Sequence, residues 1–273
     1  MRNLRERARA KLGRALHEYV VLELRSDLDH TSGELRAELA AAREEIRALE
    51  ASMRAWEHRQ RRDLFTMREQ LAARSSAEFQ VREMEHAKPW FSKADTLAAA
   101  LKAAPADGLY LEFGVHTGGT LRSIAEMAPA GTVFGFDSFE GLPEDWRAEF
   151  VAGAFALDTL PEVPGAELVV GWFDQTLPGF LEQHPEQVAF LHLDADLYSS
   201  TKSVLDALAP RLRPGTVIVF DEYLNFPGWQ QHEHKAWTEF VARTGVTFEY
   251  LGFTADDEQI SLRLTGLPQA AER

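Results

Sequence analysis

Leu109-Tyr-Leu-Glu112-Phe-Gly114-Val-His116-Thr117-Gly118-Gly119 is the stretch on which the fold turns. Its opening run is apolar apart from Glu112, which is how a strand covered on both faces reads. The glycines that follow let the backbone turn sharply and approach a ligand, and a helix starting near Gly118 would present free N–H groups at that point. The same alternation continues downstream. Strands are expected over 109–114, 132–137, 167–171, 188–194, 216–221, 246–253 and 259–264, with helices beginning near Gly118, Gln175, Ser200 and Gln230. This predicts an α/β fold with a seven-stranded, mostly parallel sheet. The last two strands lie too close for a helical crossover, so the final one should run antiparallel.

In such a sheet ligands bind beyond the carboxyl ends of the strands, so the residues at those ends carry the chemistry. A dinucleotide fingerprint G-x-G-x-x-G is absent from the first turn, and Glu112 stands just before its first glycine. A carboxylate there repels a pyrophosphate but suits an ammonium group, such as the amine of a methionine moiety. Gly114, His116, Thr117 and Gly118 complete that candidate loop. Asp137, followed by Ser138, ends the second strand, where an acid is placed to accept ribose hydroxyls. After the third strand, Phe173 offers a ring for an adenine face and Asp174 an acceptor for its exocyclic amine. Core packing accounts equally well for Trp172 and Phe173.

Two further strand ends bring acids together: Asp194-Ala-Asp196 and Asp221-Glu222. Neighbouring strands lie about 4.8 Å apart, so these carboxylates should crowd one small space. Such a cluster is tolerated when a divalent cation neutralises it or when one member accepts a proton. All-oxygen ligands point to Mg²⁺, with Mn²⁺ or Ca²⁺ as alternatives. The plainer reading has two of the four capping helices or pairing with Lys202. Residues 228–237, with Trp229, His232, His234 and Trp237, are expected to roof the site and to offer aromatic faces to an acceptor. The two histidines are either alternative bases or incidental residues of a solvated helix.

Four ordered strings, 137–143 (DSFEGLP), 171–178 (GWFDQTLP), 193–202 (LDADLYSSTK) and 219–223 (VFDEY), resemble the macrocin O-methyltransferase family over roughly residues 105–265. The resemblance implies a Rossmann-like sheet and a class I S-adenosylmethionine-dependent methyltransferase that uses Mg²⁺ and acts on hydroxyls of sugars, glycosylated natural products or glycans. It implies cofactor binding by Glu112, Gly114 and Asp137, metal binding by Asp194, Asp221 and Glu222, and a general base at Asp196, with the division of labour between Asp194 and Asp196 open. Glu222 stands where the family often has a second Asp. A catechol-type metal-dependent methyltransferase is the nearest rival, a non-catalytic cofactor-binding scaffold the next, and a nicotinamide oxidoreductase the remotest.

Upstream the periodicity changes. Leu28, Leu35, Ala42, Leu49 and Trp56 recur every seven residues, with Leu39, Ile46 and Met53 four residues after members of that series. This a/d seam predicts a coiled-coil-like helical region over 1–88, followed by a catalytic domain over 89–273, and a homo-oligomer joined through the helices. One long helix packed on its own domain is the alternative. Gln60 and Asp63 break the register, Pro89 should end the helical region, and Ser92 should cap the next helix. The first 14 residues form a basic amphipathic stretch with Leu4, Ala8 and Leu12, for which contact with an anionic membrane surface is one option.

Composition bounds the rest. The 273 residues include no cysteine, which excludes disulfides and thiol chemistry. Net charge is −14, distributed as +2 over residues 1–90 and −16 over 91–273. So acidic a catalytic half argues against nucleic acid as a partner. The N-terminus lacks the apolar core of a secretory signal and the chain lacks a run long enough to span a membrane, so a cytoplasmic protein is expected.

Overall fold

The computed structural model describes residues 2–147 and 150–267, with side chains described from residue 9 onward. The chain divides into two compact units, one ending at Met67 and the other starting at Arg68. The first unit holds helix α1 (Arg2–Arg62) and the start of α2 (Leu64–Glu83). At about 1.5 Å per residue α1 is roughly 90 Å long. Its seam residues stand open, with Leu28, Leu35, Ile46, Met53 and Trp56 between 55% and 70% exposed. The register break at Asp63 is a helix boundary, where its carboxylate accepts from the Phe65 and Thr66 N–H groups and caps α2. For the basic N-terminal stretch, the side chains of Leu4 and Ala8 lie outside the described residues.

The second unit takes in more of the helical region than the periodicity suggested. Ala72, Ser76, Phe79, Met84 and Ala87 are buried, so residues 68–88 belong to the α/β unit, and the boundary expected at 88 falls at 67. The helix ends at Glu83, ahead of Pro89, and the proline sits in a short strand. That strand, β1 (Lys88–Trp90), pairs in parallel with β7 (Thr247–Thr254) at the sheet edge, where a missing N–H is tolerated. It raises the strand count from seven to eight.

The other strands are β2 (Leu109–Phe113), β3 (Val133–Asp137), β4 (Glu167–Val170), β5 (Val188–Leu193), β6 (Val217–Phe220) and β8 (Ile260–Gly266). Their order is β1-β7-β8-β6-β5-β2-β3-β4, and only β8 runs against the rest. The central strands β2, β5 and β6 are buried on both faces, and the strand period of two assigns residues to each. Leu111, Phe113, Ile218 and Phe220 pack on one face against α5 (Phe173–Gln183), α6 (Tyr198–Leu208), α7 (Glu233–Thr244) and Phe79 of α2. Tyr110, Phe190, Val217 and Val219 pack on the other against α3 (Lys93–Ala103) and α4 (Gly119–Met127). Ser92 caps α3 as expected, its hydroxyl accepting from Asp95 N–H at 3.1 Å. No described helix is long and apolar enough to cross a membrane.

Candidate active site

The carboxyl ends of β2, β3, β5 and β6 share one rim, and a cavity of about 790 Å³ opens there. Gly114 sits at the closest approach. Its φ is +94°, and a Cβ there would lie 1.8 Å from the carbonyl oxygen of Asp194. Only glycine lets the ends of β2 and β5 come together, which the Asp194 N–H to Phe113 carbonyl bond of 2.9 Å then fastens.

Six of the residues expected to hold a cofactor line the cavity: Gly114, His116, Asp137, Ser138, Phe173 and Asp174. Asp137 also shapes the loop, because its carboxylate accepts from the N–H groups of Val115 at 2.9 Å, His116 at 2.8 Å and Phe139 at 2.7 Å. Phe173 sets its ring edge-on to Phe113, 5.2 Å between centroids. Thr117 and Gly118 do not line the cavity. Gly118 instead caps α4 in the left-handed region, φ +77°.

Glu112 is fully buried and does not line the cavity either. It lies beside His192 in the β2–β5 register, and its Oε1 is 3.0 Å from His192 Nδ1. His192 Nε2 lies 3.6 Å from Asp221 Oδ1, just past the end of β6, so His192 bridges Glu112 and Asp221. Burial alone would lower the imidazole pKa, but the flanking carboxylates outweigh it and carry His192 up to about 10. Burial raises Glu112, against the opposing pull of His192.

The four clustered acids have different surroundings. Asp194, Asp196 and Glu222 bring carboxylate oxygens within 4.8 Å of one another, and a ring nitrogen of His192 lies equally close to carboxylate oxygens of Asp194 and Asp221. Asp194 thus belongs to both groups, whereas Asp221 and Glu222 fall in different ones. Asp221 is heavily engaged: Lys93 Nζ lies 2.8 Å from its Oδ2, and Gln259 donates to its Oδ1. Burial alone would raise its pKa, but His192 and Lys93 overcome that and hold it well below the usual range. Asp194 and Glu222 are pushed up, first by burial and then by neighbouring carboxylates. Burial brings Asp196 up to about 7, with Arg147 opposing and Asp221 and Glu258 reinforcing. Its backbone is left-handed, φ +58°, a conformation that costs free energy in a non-glycine residue. The donor set matches a hard divalent cation, since Glu222 Oε2 is buried without a hydrogen-bond partner among the described residues, in an all-oxygen cluster. Lys202 takes no part and pairs with Asp206.

The roof differs from the one expected. Trp229 and Trp237 are 3% and 0% exposed and belong to the core, Trp237 packing on Phe240 and Phe248. His234 sits edge-on to Phe79 and Trp229, and burial lowers its pKa to about 4. His232 is lowered as well. Neither histidine lines the cavity: His232 sits beside Phe226 and His234 among the core rings. The aromatic wall comes instead from Trp146, Phe150 and Phe155. Arg147 lies over both Trp146 and Phe226 and forms a two-pronged ion pair with Glu258.

Sequence reasoning missed Lys93, Arg147, Glu258 and Glu233. Glu233, fully buried, accepts from Glu222 N–H at 3.0 Å and steadies the end of β6. An acid at the start of a helix was the available signal, and the interest of the neighbouring histidines obscured it.

Comparison with known proteins agrees with this geometry. The model of a methyltransferase domain family matches residues 111–223, a span that contains the whole carboxylate cluster. The 8-demethyl-8-(2,3-dimethoxy-alpha-L-rhamnosyl)-tetracenomycin-C 4'-O-methyltransferase of Streptomyces olivaceus is 30% identical over 167 residues, covering 50% of this chain. The chain spans 62% of the length of that curated relative. Among solved structures, the calicheamicin methyltransferase CalS11 superposes with a TM-score of 0.50 at 24% identity, covering 62% of this chain and 76% of its own, an agreement of fold. The O-methyltransferase NovP gives 0.47 at 26%, covering 63% and 77%. Residues 111–223 thus resemble a methyltransferase domain and lie on a Rossmann-like sheet, in keeping with the resemblance carried by the four motifs.

Proposed function

We propose that the chain is an S-adenosylmethionine-dependent O-methyltransferase, assisted by a divalent cation, whose acceptor is a sugar hydroxyl of a glycosylated natural product. The observation that supports it most is the cavity itself. Its wall brings Gly114, Asp137 and Phe173 together with Asp194, Asp196 and Glu222. The named activity of the Streptomyces relative, on a rhamnosyl tetracenomycin C, supports the acceptor class.

In this reading the loop at Gly114 and His116 borders the amino-acid portion of the cofactor, Asp137 faces the ribose, and Phe173 with Asp174 borders the adenine. The cofactor supplies an electrophilic methyl group. Asp194 and Glu222 would hold the cation, whose charge lowers the pKa of a nearby hydroxyl. Asp196, poised near neutrality, accepts the proton that the hydroxyl loses as the new C–O bond forms. Trp146, Phe150 and Phe155 exclude water and offer flat apolar faces for a sugar or its aglycone. The α1 seam would join copies of the chain.

The test is transfer of labelled methyl from S-adenosylmethionine to a rhamnosylated aromatic polyketide, its aglycone and a catechol, run side by side with and without a chelator. Label should appear on the glycoside alone and vanish with the chelator. Labelling of the catechol in preference would transfer the assignment to the catechol-type enzymes.

A further inference from the structure

Lys93 is the residue whose position the proposed chemistry does not explain. It is the first residue of α3, where the helix dipole disfavours a positive charge. It nevertheless directs its ammonium 2.8 Å from Asp221 Oδ2 and 3.6 Å from Asp257 Oδ1. Its side chain is 44% exposed while that of Asp221 is 9% exposed, so the lysine is the partner with an alternative in solvent. The helix behind it is fixed, because Thr96 and Thr254 share a buried hydrogen bond of 2.7 Å and Ser92 caps the first turn. Asp221 keeps two other partners, Gln259 and the nearby His192, if the ammonium leaves. The carboxylate would therefore stay in place when released.

We infer that Lys93 is an internal cation that competes with the divalent ion for Asp221. With the lysine docked, Asp221 is occupied, and Asp194, Asp196 and Glu222 form the open group. With the lysine swung into the cavity, Asp221 becomes available beside Asp194. Lys93 thereby sets how tightly the chain holds its cation, and it ties cation binding to the position of a side chain on the cavity wall. The inference rests on the cation-assisted reading above.

Binding of Mn²⁺ to the full chain, followed by electron paramagnetic resonance without cofactor or acceptor, separates the two ideas. Removing one positive charge roughly 5 Å from a cation site strengthens binding by about ten- to a hundredfold, so Lys93→Met should tighten Mn²⁺ by that factor. Lys93→Arg, which keeps the charge, should stay within about threefold of the parent. Equal or weaker binding by Lys93→Met overturns the role of Lys93 while leaving the cation site standing. No binding by any of the three overturns both. A second readout needs no variant: acetylation of Lys93 in the parent chain, followed by mass spectrometry, should rise several-fold on adding Mg²⁺. Unchanged reactivity in the presence of bound cation would mean that the ammonium is never displaced.

Discussion

Gly114→Ala tests the packing that creates the site. The added methyl would lie 1.8 Å from the carbonyl oxygen and 2.8 Å from the carbonyl carbon of Asp194, both backbone atoms that no rotamer change can move. Holding alanine at positive φ costs roughly 1–2 kcal/mol, and forcing a methyl into a filled space adds about 1–3 kcal/mol. Pushing the strand ends apart also weakens the Asp194 N–H to Phe113 carbonyl bond, worth about 1 kcal/mol. The loss of roughly 3–6 kcal/mol is a large share of a domain stability of about 5–15 kcal/mol. Gly131→Ala is the control: its φ is +76° and nothing lies within 4 Å of the added Cβ, so it carries the backbone cost alone. In urea denaturation the Gly114 variant should lose about 1–3 M in midpoint and the Gly131 variant under about 1 M. Equal losses in the two would refute the close approach of β2 and β5, and with it the placement of Asp194.

Three other outcomes follow from the same geometry. Asp196 has its pKa raised to about 7, so kcat/KM should climb about tenfold per pH unit below 7 and level above it, while Asp196→Asn loses turnover but keeps S-adenosylhomocysteine affinity within a few-fold. Asp194 and Glu222 have raised pKa values, so the folded chain binds more protons than the unfolded one, and stability falls as pH rises above the normal carboxylate range; Mg²⁺ should raise Tm at pH 7.5 and do so much less at pH 5, as scanning calorimetry would show. Removing residues 1–67 should leave a cooperatively folding unit of smaller assembled mass by light scattering, whereas removing 1–85 also deletes Ala72, Phe79 and Met84 from the core and should cost several kcal/mol in urea denaturation.

The sheet was legible because buried parallel strands announce themselves as apolar runs ending in glycine or acid. The runs at 109–113, 188–193 and 217–220 each fall within a residue or two of their expected bounds. β1 was not, since three residues around a proline carry no periodicity and gain their structure only from β7. The acids at 194, 196, 221 and 222 were legible as a cluster because strand spacing alone brings strand ends together. What each acid does was not: the Glu112–His192 pair depends on cross-strand register, and the Lys93–Asp221 pair spans 128 positions of chain. The aromatic roof was misplaced for a related reason. Trp229 and Trp237 sit at helical spacing that serves a core face as well as a cavity, whereas Trp146, Phe150 and Phe155 lie in an irregular segment without a period to read.

Titration calorimetry with S-adenosylhomocysteine addresses the central claim most directly, because everything proposed for the acids presumes a sulfonium donor beside them. One molecule should bind per chain, with measurable heat and an affinity that Asp137→Ala reduces by tenfold or more, as loss of a ligand-facing carboxylate requires. A folded chain that takes up no S-adenosylhomocysteine would contradict the account.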